Sequence, residues 1–433
     1  MHFLGISLAD GVRPRHMLAY LVVAFFSSGY AGALAVLQPG VLQVMGISYG
    51  EQATVTGMLS AMQEVVLIAT MGLVGVWADR AGRPIVYVCG LLLTSLGFAL
   101  YPHAQSISEL VIYRLLVAFG GAAMVGMMVT VVADYASERD RGKANGLQGF
   151  VATLGAFIPP ILGLLPAMFV ADGYSEAGAQ QATFAVGASL GVFAAIVAWF
   201  GLCKTTGRVA SEDKEPVWQM LKQGLAEIRD PGIALSYGAA FISRGDLAVT
   251  GAFMGLWLVQ WGTGQLGMAP SEAMGSLAVP RVLTTVSGAM VGSLLMGYIS
   301  DRVTRVTAVA MASGLAAAVY LAIFFVSDPT ADWVYFLLGF MGIAEISAFV
   351  SSQALVGQQA PARRRGAVIG FFGVSGAIGI LVGTAGGGWL FRHIGPSAPF
   401  VLFGFLNLLV FIWALRVRRL PAPLDPVAQA AGV

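Results

Sequence analysis

The feature that most constrains this chain is a succession of long apolar runs, cut by short polar breaks, from near residue 17 to near residue 415. Each run approaches the ~20 apolar residues that a helix needs to cross a bilayer core. Runs and breaks place twelve spans near 17–43, 52–77, 85–103, 108–133, 144–169, 182–203, 232–261, 272–299, 306–327, 332–359, 367–391 and 397–415. The spans must be helices, because hydrocarbon offers no water to the amides and carbonyls of an open strand. A closed barrel would instead show short alternating segments. Composition agrees, with 57% of the 433 residues hydrophobic and 11% charged, where a soluble domain carries about 25% charged residues. The expected fold is therefore an all-α polytopic membrane protein. A net charge of +2 gives no reason to expect nucleic acid. Two cysteines, Cys89 and Cys203, are too few for a disulfide framework or a zinc site. His2, His16, His103 and His393 lack metal-ligand spacing, so neither metal nor cofactor is expected.

The loops set the orientation. With the N-terminus inside, the cytoplasmic segments collect twenty of the 24 Lys and Arg residues, and the opposite side holds Arg392 alone. Arg114, Arg244 and Arg281 fall within spans. This bias predicts that both termini are cytoplasmic in a cell (inner) membrane. The longest polar stretch separates spans six and seven and divides the chain into 1–205, a central loop 206–231, and 232–433. Within that loop Glu215–Asp230 reads as an amphipathic surface helix, with Val217, Met220, Leu221, Leu225 and Ile228 on one side.

The halves repeat. After span two stands Gly75-Val-Trp-Ala-Asp79-Arg80-Ala-Gly82-Arg83-Pro84, and after span eight Gly297-Tyr-Ile-Ser-Asp301-Arg302-Val-Thr-Arg305, an offset of 301 − 79 = 222 residues. Arg141-Gly142 and Arg365-Gly366 echo each other after spans four and ten. Duplicated six-helix units with parallel topology are a transporter architecture. These loops resemble the G-x-x-x-D-R-x-G-R-[RK] motif of the major facilitator superfamily, with Pro84 in place of the last basic residue and Thr304 in place of the second glycine. The resemblance implies two pseudo-symmetric six-helix bundles that rock about a central site, and a monomer that suffices. Asp79 and Asp301, near helix ends, are placed to pair with loop arginines and hold a cytoplasmic gate shut.

Ionisable residues at membrane depth are candidates for function, since each costs at least ~2.5 kcal/mol to insert. Glu64 lies twelve residues into span two, Arg244 and Asp246 twelve and fourteen into span seven, and Glu345 about thirteen into span ten. With Arg114 and Arg281 nearer the outer side, six charges are expected around one central cavity. Arg114 has the alternative of pairing with Glu64. Arg244 and Asp246, two apart, face different ways in a regular helix and cannot pair directly; Gly245 could permit a local break, and otherwise each needs a partner on a different helix. A buried carboxylate that is paired only intermittently can load and release a proton near neutrality, so Glu64, Asp246 and Glu345 are candidate carriers. The Arg114–Ala122 stretch is similar to a span-four motif of the superfamily linked to proton transfer, with Val117 and Ala118 departing from it. Gly155-Ala-Phe-Ile-Pro159-Pro160-Ile-Leu-Gly163 resembles the antiporter motif of span five, where tandem prolines must bend the helix. Tyr30, Gln38, Gln63, Gln260 and Gln353 are further polar candidates for the cavity wall.

These readings point to a secondary transporter of a small organic solute, anionic or zwitterionic if the arginines bind it, coupled to H+ through alternating access. The alternatives are a multidrug-type proton antiporter and a non-transporting receptor of the same fold. An enzyme would need a nucleophile, metal cluster or His–carboxylate set at one membrane face, and the sequence holds none.

Overall fold

The structure, a computed structural model, describes residues 2–204 and 217–420. The first half contains α1 (Pro14–Val44), α2 (Tyr49–Ala81), α3 (Arg83–Leu100), α4 (Ile107–Tyr135), α5 (Arg141–Gly155), α6 (Ile158–Ala171) and α7 (Glu176–Gly201). After the short α8 (Val217–Ala226) come α9 (Pro231–Val249), α10 (Gly255–Gln265), α11 (Pro270–Ala273), α12 (Val279–Ser300), α13 (Arg305–Ala322), α14 (Trp333–Gln359), α15 (Arg365–His393) and α16 (Ala398–Arg418). These form the expected spans, because three spans are each built from two helices. Eleven spans are long and apolar enough to cross a membrane by length and composition. The other is span seven, Pro231–Gln265, which carries Arg244 and Asp246 and is interrupted by a π-turn. The chain is a multi-pass membrane protein, and Leu73, Leu294 and Phe336 are among the apolar side chains it leaves exposed on its surface.

Each interruption has a local cause or consequence. Span five breaks at Ala156–Phe157, just before Pro159 and Pro160. Prolines are tolerated in the first turn of a helix but would remove hydrogen bonds from a continuous one. Span seven contains a π-turn at Thr250–Met254, and span eight another at Met274–Ala278. Of the two alternatives at Gly245 the local break does not form: α9 runs through it, and the glycine instead admits the Phe403 ring and the Gly379 carbonyl. Pro84 sits in the first turn of α3, where its missing N–H is harmless.

In the first bundle α3 packs on α4 and α7, α1 on α7 and α5, and α2 on α4; in the second, α12 packs on α14, α13 on α16, and α15 on α9. Glycines let backbones touch, as helix packing in lipid favours. A side chain at Gly342 of α14 would run into the Thr285 carbonyl of α12, and one at Gly288 into that of Gly339.

The loops define a basic face, holding the ends of α2, α4 and α7, and a far face opposite. On the far face the bundles join: Tyr49 donates to Thr263 (3.0 Å), and Gln260 donates to the Tyr49 carbonyl and to Gln52 (both 3.0 Å). Deeper in, Gly57 of α2 meets Thr384 and Gly388 of α15. The far half of span five, α6, packs on α12, whereas its basic half, α5, packs on α1 and α4 of its own bundle. The bundles thus meet over the far half, and the interior opens toward the basic face.

The central loop carries a short helix within the expected segment, and the start of the chain carries an unexpected hairpin. Within the central loop, α8 seats Gly224 against Ala367 and Phe371 of α15, while Trp218, Leu225 and Ile228 are exposed. The first residues of that expected helix and the boundary at 205/206 lie outside the described residues. The N-terminus also forms a hairpin of β1 (His2–Phe3) and β2 (Ile6–Ser7) that is absent from the all-helical expectation. Its continuation is strapped to the α4–α5 turn: Ala9 N donates to the Tyr135 carbonyl, Ser137 N to the Ser7 carbonyl, and Ser7 N to Asp140 (each 2.9 Å). Tyr135 accepts from the Cys203 amide at 2.7 Å, and the Cys203 thiol points at the Gly11 carbonyl. Ile6, Leu8 and Val12 are buried beneath the strap. A carboxylate forced into that layer has no partner and is strongly unfavourable. Leu8→Asp in a Cys89→Ser background should therefore raise maleimide labelling of Cys203 by roughly tenfold or more through local opening. Unchanged labelling would mean that the strap does not cover this thiol.

Candidate functional site

At mid-depth between the bundles lies a cavity of about 300 Å3. Its walls come from α1 (Gly32, Ala35), the break in span five (Ala156, Pro159), the π-turn of span seven (Thr250, Met254) and α12. Irregular backbone is tolerated at this depth where it lines a cavity, and all three interruptions reach it, the π-turn of span eight through Ala278. Among the described residues, Glu345 of α14 is the one ionisable side chain on the wall.

Glu345 is held by hydroxyls. Tyr320 of α13 donates to its Oε1, and the Thr250 hydroxyl lies 2.8 Å from the Tyr320 oxygen. Near it in the second bundle is Asp246, fully buried, whose Oδ1 accepts from the Leu247 amide (2.7 Å) and Oδ2 from Asn407 of α16 (3.2 Å). The two carboxylates lie close enough to feel each other's charge, and neither has a salt bridge among the described residues. Two anions with no cation beside them are costly in a low-dielectric core, and protonation of one relieves both.

Glu64 of α2 and Arg244 of α9 are electrostatic neighbours across the bundle interface, without a direct salt bridge. The Arg244 guanidinium stands 5.5 Å over the Phe349 ring, its stem crowds Gly376, and its buried Nε has no partner.

Arg114 and Arg281 do not join these groups, which corrects the expectation of six charges around one cavity. Arg114 donates to Gln38 at 3.0 Å, and Gln38 also accepts from Tyr101 (2.7 Å) and donates to Thr56 (2.9 Å). Arg114 therefore belongs to a closed network inside the first bundle and does not pair with Glu64. Arg281 stacks 4.5 Å over Tyr335 and donates to the Leu277 and Thr330 carbonyls, tying α12 to the loop before α14. Both guanidiniums turn terminal N–H groups to neutral acceptors close by, while the buried Nε of each has no partner among the described residues, and depth alone does not foretell that choice.

The repeated loop motif forms ion pairs within each bundle. Arg83 meets Asp79 at 2.7 Å and Asp134 of α4 at 3.2 Å. Arg305 meets Asp301 at 3.5 Å. Gly82 takes φ +97°, a left-handed conformation suited to glycine. Thr304, at the matching position, has φ −62° and caps α13 by accepting from Thr307 N. The second loop thus replaces backbone freedom with a hydroxyl cap. Arg80 and Arg302 are exposed, with Arg302 resting on Tyr298 at 3.4 Å, and Gly75 and Gly297 face open space.

Of the other polar candidates, Tyr30 packs on Phe98 inside the first bundle and donates to the Gly187 carbonyl. Gln38 serves Arg114, Gln260 the far-face junction; Gln353 is exposed, and Gln63 keeps a buried oxygen without a partner. Sequence reading missed Tyr320, Thr250, Asn407 and Asp134. Asn407, ten residues into an otherwise apolar run, was visible as a polar residue at depth, and Asp134 as an acidic residue just past the end of the fourth apolar run.

The description "Major Facilitator Superfamily" fits residues 17–288 and 237–432. The chain is 26% identical to the magnetosome protein MamH of Paramagnetospirillum magneticum over 431 residues, 95% of this chain and 94% of that protein. It is 26% identical to the magnetosome protein MamZ of Magnetospirillum gryphiswaldense over 428 residues, 95% of this chain but 63% of that longer protein. Among solved structures, the nucleoside transporter NupG superposes with a TM-score of 0.72 at 13% identity, covering 94% of this chain and 99% of NupG, which speaks to fold alone. With its repeated loop motif, its paired bundles and a family match along nearly its whole length, the chain belongs to the Major Facilitator Superfamily: it is a membrane transporter of a small molecule rather than an enzyme.

Proposed function

We propose that the chain is a proton-coupled secondary carrier of a small organic solute that exposes the central cavity alternately to each side. The observation that carries this reading is Glu345. It lines the cavity, accepts from Tyr320, and has no salt bridge among the described residues, so gain or loss of a proton there changes the charge of the solute site itself. Asp246 is the second candidate proton carrier, and Glu64, beside Arg244 at the bundle interface, the third. The basic face is the cytoplasmic one on the positive-inside bias, so the cavity opens inward, and Asp79, Arg83 and Asp134 sit where the inner gate closes. The chain acts as a monomer, divided near 205 and 231 into its two working halves.

A second reading keeps an anionic or zwitterionic solute, bound at Arg244. It is favoured by the buried, unpartnered Nε of that residue beside the interface.

Reconstitution in liposomes with a trapped pH dye tests the first reading, using a panel of carboxylates, amino acids and organic amines. Proton movement that depends on a transported solute is expected. A solute that crosses with no proton response would leave a uniporter or exchanger.

A further inference from the structure

We infer that the central cavity is built for an amphipathic organic cation, its charged centre seated on the Glu345 carboxylate and its hydrocarbon body against α1, span five and α12. This rests on the reading of the cavity as the solute site, and adds the sign of charge and the polarity of what enters.

The wall is mostly hydrocarbon: Ala35, Val36, Met254, Val282 and Val286 face the space, and Ser28, Thr250 and Thr285 provide hydroxyls. A volume of about 300 Å3 lies at the lower end of drug-sized sites. The electrostatics decide between ligand classes. An anion would enter an apolar chamber that already holds a carboxylate, losing its hydration without gaining a positive partner. The arginines that could have supplied one are engaged elsewhere: Arg114 with Gln38, Arg281 with carbonyls and Tyr335, and Arg244 off the wall with Glu64 as its neighbour. A strongly hydrated small cation would find one carboxylate and three side-chain hydroxyls that are already hydrogen-bonded within the protein, too few free oxygens to replace its water shell. An organic cation with diffuse charge loses little hydration, buries its apolar surface, and supplies the counter-charge that Glu345 lacks. Proton and ligand then compete for the same carboxylate.

Tetraphenylphosphonium and tetraphenylborate, near-identical in shape and opposite in charge, separate these possibilities. Saturable binding of each to the detergent-purified full chain is measured by equilibrium dialysis against empty micelles. The phosphonium should bind at least about tenfold more tightly than the borate, and its affinity should fall as pH is lowered. Glu345→Gln should cost about tenfold or more in phosphonium affinity, as expected when one partner of a buried charge pair is removed. Glu345→Asp, with the charge kept, should retain the preference for the cation, and thermal melting of each variant reports folding. Equal or tighter borate binding, or phosphonium affinity unchanged in a folded Glu345→Gln, overturns the inference. Cation-selective binding without any phosphonium-dependent proton movement in liposomes would sink the coupling proposal and leave this one standing.

Discussion

Leucine at Gly57 is expected to stop transport while leaving the protein folded in the membrane. Gly57 touches Thr384 and Gly388 of the opposite bundle, and a Cβ there has no room against the Thr384 carbonyl. The contact belongs to the junction between bundles, so each bundle can still pack its own core. Overpacking costs about 1–3 kcal/mol, and the penalty falls only on the state in which the far face is closed. Each 1.4 kcal/mol shifts a two-state ratio about tenfold, so the far-open population should rise by roughly one to two orders of magnitude. A cysteine at Thr263, which accepts from Tyr49 across this junction, placed in a chain lacking Cys89 and Cys203, reports the change by maleimide labelling from the far side. Increased labelling with lost transport is the expected pair of results. Normal transport with unchanged labelling would show that the close approach is not part of the cycle. Gly342→Leu is the contrasting case, because Gly342 packs against Thr285 within one bundle; that variant should fail to accumulate as folded protein.

Glu345→Gln should abolish accumulation driven by a pH gradient. The amide oxygen still accepts from Tyr320, so the local packing survives, but the side chain no longer titrates. One pH unit is worth about 1.4 kcal/mol per proton, which supports up to roughly tenfold accumulation of a solute coupled to a single proton. The variant should bring that ratio to about one while solute–solute exchange across the same vesicles continues. Accumulation at the wild-type level would move the proton to Asp246 or Glu64.

The fold was legible because its determinants are one-dimensional. Apolar run length fixes the number of crossings, and the Asp79/Arg83 and Asp301/Arg305 loops mark the duplication directly. The prolines at 159 and 160 announced the break in span five. The site was legible only as depth: Glu64, Asp246 and Glu345 stand out as costly residues at mid-membrane, but depth does not say which way a side chain turns. Arg114 and Arg281 went to acceptors in their own bundles because Gln38 and the carbonyls near Tyr335 were closer than any carboxylate. Tyr320 and Thr250 escaped notice since neutral hydroxyls are cheap in a helix and give no hydropathy dip. The hairpin at residues 2–7 is too short to show alternation and is set by its partners on the α4–α5 turn.

The π-turn at Thr250–Met254 bears on how this chain should be compared with other carriers. A π-turn arises when one extra residue enters an α-helix, and each residue turns a helix by about 100°. A homologue without the insertion would present the faces of the outer part of span seven in a different rotation, although its hydropathy profile would look the same. Matching two such proteins then needs a one-residue gap in the middle of a hydrophobic run, where alignment by apolarity alone would place none. Positions beyond Met254, Gln260 and Thr263 among them, would otherwise be assigned to the wrong neighbours, and a far-face contact in one carrier would be read as a lipid-facing residue in the other.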